Sequence, residues 1–126
     1  MLYSNLIFLY PNIFLVMPIR LRGSYALNMG RIEVYYAGDW GSVFYNSGWD
    51  INDATVACRQ LGYYSASLSG YRLFCSSDIP MWFTNFRCSG NETSLEQCAR
   101  DFNQYPWSTY CANVVCTNKM TDEGKD

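Results

Sequence analysis

The sequence predicts a small α+β domain: a curved, mostly antiparallel sheet cradling one α-helix, stabilised by disulfides. Three observations predict it. One segment carries both the period and the end signals of a helix. Several short segments alternate like strands. Six cysteines and no histidine stand in 126 residues. An even cysteine count in a small chain points to a disulfide framework and an oxidising compartment. The length suits one domain with a modest core. Zinc is a poor reading of these thiols, because no Cys-x-x-Cys occurs and no histidine can assist.

Residues 1–18 carry no charged side chain and are rich in Leu, Ile and Phe. They predict a hydrophobic leader, either a signal peptide or a fragment of a gene model. A membrane span is disfavoured, because Asn5, Pro11 and Asn12 interrupt the run. Strands follow. Ile19–Gly23 is the first. Arg31–Tyr36 alternates, with Ile32, Val34 and Tyr36 on one face and Arg31, Glu33 and Tyr35 on the other. Ala37-Gly38-Asp39 is turn chemistry, and Trp40–Phe44 returns to make a hairpin.

The helix is predicted at about 52–61. Ala54, Ala57, Cys58 and Leu61 recur at i, i+3, i+4 and i+7 and give one narrow apolar face. Asn52 or Asp50 can cap its start, Asp53 suits the positive end of the dipole, and Gly62 can end it. Met81–Cys88 reads as an aromatic-rich strand. Ser94-Leu95-Glu96-Gln97 has the capping-box pattern and predicts a short helical turn ending near Cys98. Phe102–Tyr110 reads as a loop, Val114–Cys116 as a closing strand, and 119–126 as a polar tail.

The central run, Gly48-Trp49-Asp50-Ile51-Asn52-Asp53-Ala54 through Cys58-Arg59-Gln60-Leu61-Gly62, resembles the signature of the scavenger receptor cysteine-rich domain. The resemblance continues upstream in Ile19-Arg20-Leu21-Arg22-Gly23, in Gly30-Arg31-Ile32-Glu33-Val34-Tyr35-Tyr36 and in Trp40-Gly41-Ser42-Val43. Downstream it continues in Ile79-Pro80-Met81-Trp82, Arg87-Cys88-Ser89-Gly90-Asn91-Glu92, Ser94-Leu95-Glu96-Gln97-Cys98 and Val114-Val115-Cys116. It covers residues 19–118 and implies the same α+β arrangement.

The resemblance implies that Cys58 pairs with Cys116 and Cys88 with Cys98. Two usual cysteine positions hold Phe44 and, roughly, Pro106 instead. Cys75 and Cys111 stand at no usual position. Even counting leaves them to each other, with free thiols as the alternative. Loops of these sizes imply about 4, 3 and 4 kcal/mol for 58–116, 88–98 and 75–111 in the chain-entropy model. That is large against a typical total of about 5–15 kcal/mol, so the cysteines read as structural.

Many members of the family bind calcium through converging carboxylates, which a hard cation prefers. Here Asn46 and Ser47, Thr84 and Asn85, and Tyr110 and Cys111 stand near those positions. No metal site is therefore expected, although Asp78 and Asn46 leave room for a weaker, different one. No catalytic residue and no cofactor are expected either. There is no histidine, no Gly-x-Ser-x-Gly and no phosphate loop. The seven arginines of the matched region are scattered among eight acids, and no basic run suggests nucleic acid.

What remains is surface. Tyr, Trp and Arg anchor interfaces, so Arg100, Tyr105 and Trp107 are the candidate partner-binding residues; the alternative is that the aromatics fill the core. Asn91-Glu92-Thr93 is a glycosylation triplet. The expected function is an extracellular, non-catalytic module that binds a protein or a microbial or polyanionic ligand. It would touch a membrane only through a flanking segment. The alternatives are an accessory domain of a secreted protease or oxidase, and a small standalone adhesive or structural protein.

Overall fold

A computed structural model describes residues 16–45, 48–68, 73–104 and 110–118. The predicted leader, apart from residues 16–18, lies outside them. So do the polar tail, Asn46, Ser47, Tyr105 and Trp107.

The sheet is organised around its longest strand. β1 (Ile19–Arg22), β2 (Met29–Tyr36) and β3 (Asp39–Val43) come first. β2 pairs antiparallel with all of β1, with β3 through Glu33–Tyr36, and with the final strand through Met29–Arg31. The β2–β3 connection is a two-residue turn in which Ala37 (φ 54°) and Gly38 (φ 85°) are both left-handed. Such a turn matches the twist of the paired strands.

β2 was expected to be half-buried, and that expectation fails at Glu33. Its side chain is 3% exposed although it lies opposite Ile32 and Val34. The cause is its company. Arg20 Nε donates to Glu33 Oε1 at 2.8 Å, Arg31 lies 3.7 Å from Oε2, and the Arg20 guanidinium sits 4.1 Å from the centroid of a Trp40 ring. A buried carboxylate is tolerated when it is paired and hydrogen-bonded in this way.

Helix α1 spans Ile51–Gln60. Asp50 is its cap, and Asn52 is not. Asp53 N–H donates to Asp50 Oδ1 at 3.1 Å, while Asp50 N–H donates to Asp53 Oδ2 at 3.0 Å. Two orphan donors are thus satisfied reciprocally. At the other end Gly62 takes φ 97°, Tyr63 N–H reaches Cys58 O and Gly62 N–H reaches Arg59 O, each at 2.9 Å. This pair of hydrogen bonds is the Schellman stop. The helix ends one residue earlier than predicted. Leu61 is therefore a partly exposed cap residue, and Val56 joins Ala54, Ala57 and Cys58 on the buried face.

β4 (Ser65–Leu68), β6 (Met81–Arg87), β7 (Ala99–Phe102) and β9 (Asn113–Thr117) complete the seven-stranded sheet, ordered β4-β9-β2-β3-β6-β7 with β1 on β2. Among the described residues only β3–β6 is parallel. β5 (Leu73–Phe74) and β8 (Tyr110–Cys111) form a separate two-stranded ribbon. The fold is the predicted α+β domain, with α1 packed on β4 and β9. Ile32, Val34, Val43, Ala54, Val56, Phe83 and Leu95 are fully buried between the layers. Trp49 fixes the helix entry, donating its Nε1–H to Asn113 O at 3.1 Å.

Two further expectations change. Ser94–Gln97 forms a 3-10 turn at Leu95–Gln97, but no capping box. Gln97 Oε1 accepts from Thr93 N–H at 2.8 Å instead. The turn is closed by the backbone, where Gln97 N–H donates to Ser94 O at 3.1 Å. The predicted loop beginning at Phe102 also starts too early, since Phe102 ends β7 and Tyr110 begins β8.

Candidate functional site

Polar and aromatic side chains gather along the β6–β7 ribbon. Its register runs Phe83↔Phe102, Thr84↔Asp101 and Arg87↔Ala99, with an irregularity between Thr84 and Arg87. Asn85 takes φ 58° at this point. An added residue in one strand re-aims its neighbours. Here Phe83 and Phe86, three apart, both enter the core. Asn85 meets the facing strand, donating from Nδ2 to Asp101 Oδ2 at 3.0 Å.

Arg87 reaches the same carboxylate, with Nη1 3.3 Å from Oδ2 and Nη2 3.4 Å from Oδ1. The Asn85 hydrogen bond and then the Arg87 guanidinium hold the Asp101 carboxyl below its ordinary range. The two charged side chains are about half exposed, so this pair shapes the surface more than it stabilises the fold.

An open groove of about 820 Å³ runs along the ribbon, lined by Phe44, Thr84, Asn85, Arg100, Asp101, Phe102, Asn103 and Gln104. Phe102 is its aromatic feature. The residue is 61% exposed, while its ring rests 5.3 Å from Phe83 and 5.6 Å from Tyr36. It is therefore a solvent-facing ring on a packed base.

Arg100, expected as a charged contact, is turned inward. Its guanidinium stands 5.1 Å from the Phe83 centroid, and Nη1 donates to Glu96 O and Cys98 O at 3.2 Å each. It lines the groove as a half-buried brace. Tyr105 and Trp107 lie outside the described residues. Phe102 was read only as the start of the aromatic loop. Its place opposite buried Phe83 comes from β7, a strand with no periodic signal in the sequence.

The disulfides join Cys58 to Cys116, Cys88 to Cys98 and Cys75 to Cys111, with Cα separations of 5.4, 4.8 and 5.1 Å. Cys58–Cys116 ties α1 to β9. Cys75–Cys111 joins the residue after β5 to β8. Cys111 is fully buried with its Sγ 3.8 Å from Met81 Sδ, and it bridges Phe44 through the backbone.

Cys88–Cys98 closes a loop gripped by carboxylates. Asp53 Oδ1 accepts from Cys88 N–H at 2.9 Å, and Glu92 accepts from Ser89 N–H and Gly90 N–H at 3.0 Å each. Burial pushes Asp53 from 3.8 up to about 6, although the N–H groups of Cys88 and Asp50 pull it down. Hydrogen bonding from Ser89 lowers Glu92.

Among the described residues, metal donors do not assemble where the family resemblance places a calcium site, and Asn46 and Ser47 lie outside them. On β6 stand Thr84 and Asn85. The facing Asp101 is already neutralised by Arg87. Tyr110 stacks on Phe74 at 5.4 Å, and Cys111 is in a disulfide. Asp78 is an exposed turn residue ahead of β6. Cys88, Glu92 and Cys98 do crowd within 4.8 Å, but both sulfurs are consumed in a disulfide. This donor set does not fit a hard divalent cation.

No helix among the described residues is long and apolar enough to cross a membrane. Residues 22–117 match the family model of the scavenger receptor cysteine-rich domain. Over 108 residues the chain is 37% identical to galectin-3-binding proteins of Bos taurus and Pongo abelii, covering 80% of this chain. It spans about a fifth of those relatives' length, 19% and 18% respectively.

Among solved structures, the chain resembles the third SRCR domain of murine neurotrypsin. The TM-score is 0.64 at 31% identity, with 82% of this chain and 98% of that one covered. It also resembles the SRCR domain of mouse MARCO in its dimeric form. Here the TM-score is 0.57 at 35% identity, with 77% and 94% covered. The chain belongs to the scavenger receptor cysteine-rich domain family and is an extracellular, disulfide-stabilised module.

Proposed function

We propose that this chain is a non-catalytic ligand-binding module whose contact surface is the β6–β7 groove and whose ligand is a protein. The observation that carries the reading is Phe102, a 61% exposed ring seated on the buried Phe83. A pre-ordered aromatic costs little entropy to bind and suits an interface anchor. Around it Thr84, Asn85, Asp101, Asn103 and Gln104 supply hydrogen-bonding groups of both kinds. The stretch that holds Tyr105 and Trp107 continues directly from this rim in the sequence, and we include both residues in the proposed surface. Arg100 supports it from beneath.

A polyanion is a weaker fit, since Arg87 is already paired and Arg100 is folded inward. The name of the curated relatives supplies the first probe, galectin-3. Immobilised chain titrated with galectin-3 and, separately, with dextran sulfate tests the reading. The expected result is saturable binding of the protein probe, weakened at least 10-fold by Phe102→Ala. Saturable binding of dextran sulfate alone, untouched by Phe102→Ala, would favour the polyanion. Catalysis has no support in the groove, where Asp101 is a paired carboxylate and no histidine exists. The likeness to one of several such domains in murine neurotrypsin favours a second reading, an accessory domain beside other domains.

A further inference from the structure

The geometry points to Asn91 as the attachment site of an N-linked glycan. Asn91-Glu92-Thr93 is the only Asn-x-Ser/Thr triplet among the ten asparagines of the chain. A triplet alone is a weak signal, but its setting adds to it. Asn91 is exposed, and its only hydrogen bond runs from the backbone N–H to Ser89 Oγ at 3.3 Å. Its side-chain amide is unengaged among the described residues. Other asparagines differ in this respect. Asn28 Nδ2 donates to Cys116 O, Asn85 Nδ2 to Asp101 and Asn113 Nδ2 to Cys111 O. Their amides hold the fold together, whereas that of Asn91 faces solvent with nothing to lose on modification.

The loop beneath Asn91 is rigid. Cys88–Cys98 closes it, and the Asp53 and Glu92 carboxylates hold its first three N–H groups. Arg59 donates to Gly90 O. Gly90 takes φ 104° and lies against the start of α1, where a Cβ would come within 2.9 Å of Asn52 Oδ1. A glycan therefore leaves from a fixed point near the first turn of the helix. The loop follows Arg87, three residues beyond Thr84 along β6, or about 10 Å. The glycan emerges at the helix end of the domain, beside Asn52. The inference stands apart from the ligand reading.

The chemistry needs a lipid-diphosphate-linked oligosaccharide as donor, the co-substrate class of secretory glycosylation. The Asn91 amide nitrogen bonds to C1 of the first sugar. The bond from C1 to the diphosphate oxygen breaks, the lipid diphosphate leaves, and the amide gives up one proton. Nothing is oxidised or reduced. The Thr93 hydroxyl completes the triplet read by the transferase. In the folded chain this hydroxyl lies 3.3 Å from Gln97 Oε1.

The test expresses the full chain through the secretory pathway of a glycosylating cell. Peptide N-glycosidase should increase its electrophoretic mobility and convert Asn91 to Asp in the peptide map. Asn91→Gln and Thr93→Ala should abolish the shift, and Thr93→Ser should keep it. An unmodified Asn91 peptide from wild type that has passed through the pathway would overturn the inference. So would a shift that survives Asn91→Gln. Where Asn91→Gln fails to fold, the wild-type peptide map and the Thr93 pair decide the question.

Discussion

The two ends of the β6–β7 ribbon are built on opposite terms. At one end the loop after Arg87 is locked: one disulfide, two carboxylates and one arginine hold the backbone from Cys88 to Gly90. At the other end Thr84 and Phe83 face Asp101 and Phe102, and the surface opens into a groove. The locked end spends its polar groups on backbone atoms. The open end presents the exposed Phe102 ring and the exposed Gln104 along the groove. A single hairpin thus supplies a rigid frame and a free surface, the pairing expected where binding residues sit on a fixed scaffold.

The sharpest way to break this comparison is to truncate the two facing phenylalanines in turn. Phe83 is fully buried and Phe102 is 61% exposed, with ring centroids 5.3 Å apart. Phe83→Ala removes a core ring and should cost about 3–5 kcal/mol in urea unfolding. Phe102→Ala should cost under about 1 kcal/mol of stability, its effect falling on binding. Similar losses for both variants would mean that Phe102 is core and the groove has no anchor.

The frame was far more legible in the sequence than the open end. The helix announced itself through Asp50, Asp53 and Gly62, because caps and stops are local chemistry. The β2–β3 turn was readable at Ala37-Gly38 for the same reason. Glu33 was misplaced because its burial depends on Arg20 and Trp40, which alternation within β2 cannot register. β7 was missed because Ala99-Arg100-Asp101-Phe102 is too short and too polar to show a period of two, and its partner β6 is irregular. The groove therefore emerged only with the pairing. Arg100 had the residue type of a contact, but the carbonyls of Glu96 and Cys98 and the ring of Phe83 claim it.

A smaller effect separates the ends by pH. Asp53 is 1% exposed, and burial raises it from 3.8 to about 6. The folded chain then holds this proton more tightly than the unfolded chain. The stability carried by protonated Asp53 is full below about pH 4 and is lost as pH rises through about 6. The loss should amount to about 1–3 kcal/mol. Glu92 acts in the opposite sense. Its carboxyl is lowered, so its contribution is present above its ordinary 4.5 and is lost as pH falls below it. Urea midpoints measured from about pH 5 to about pH 7 isolate Asp53. Wild type should weaken across this range and Asp53→Asn should be flatter. Equal slopes would show that the locked end does not depend on the Asp53 proton.

The smallest expected effect is none at all, and it belongs to calcium at the open end. A cation that binds only the folded chain raises its stability by RT ln(1 + [L]/Kd), so even a millimolar site shifts the unfolding midpoint when calcium is in excess. Binding would need several convergent oxygens free of competing positive charge. Thr84, Asn85 and Asp101 supply few such oxygens. The one full carboxylate has Arg87 Nη1 at 3.3 Å and Nη2 at 3.4 Å, where it neutralises the charge that a cation would need. Thermal unfolding with calcium and with chelator should superimpose. Arg87→Gln sharpens the test, because it removes the resident cation while leaving Asn85 and Asp101 in place. If calcium stabilises the variant alone, the guanidinium occupies the cation's position. If calcium stabilises wild type, the open end holds donors beyond those three.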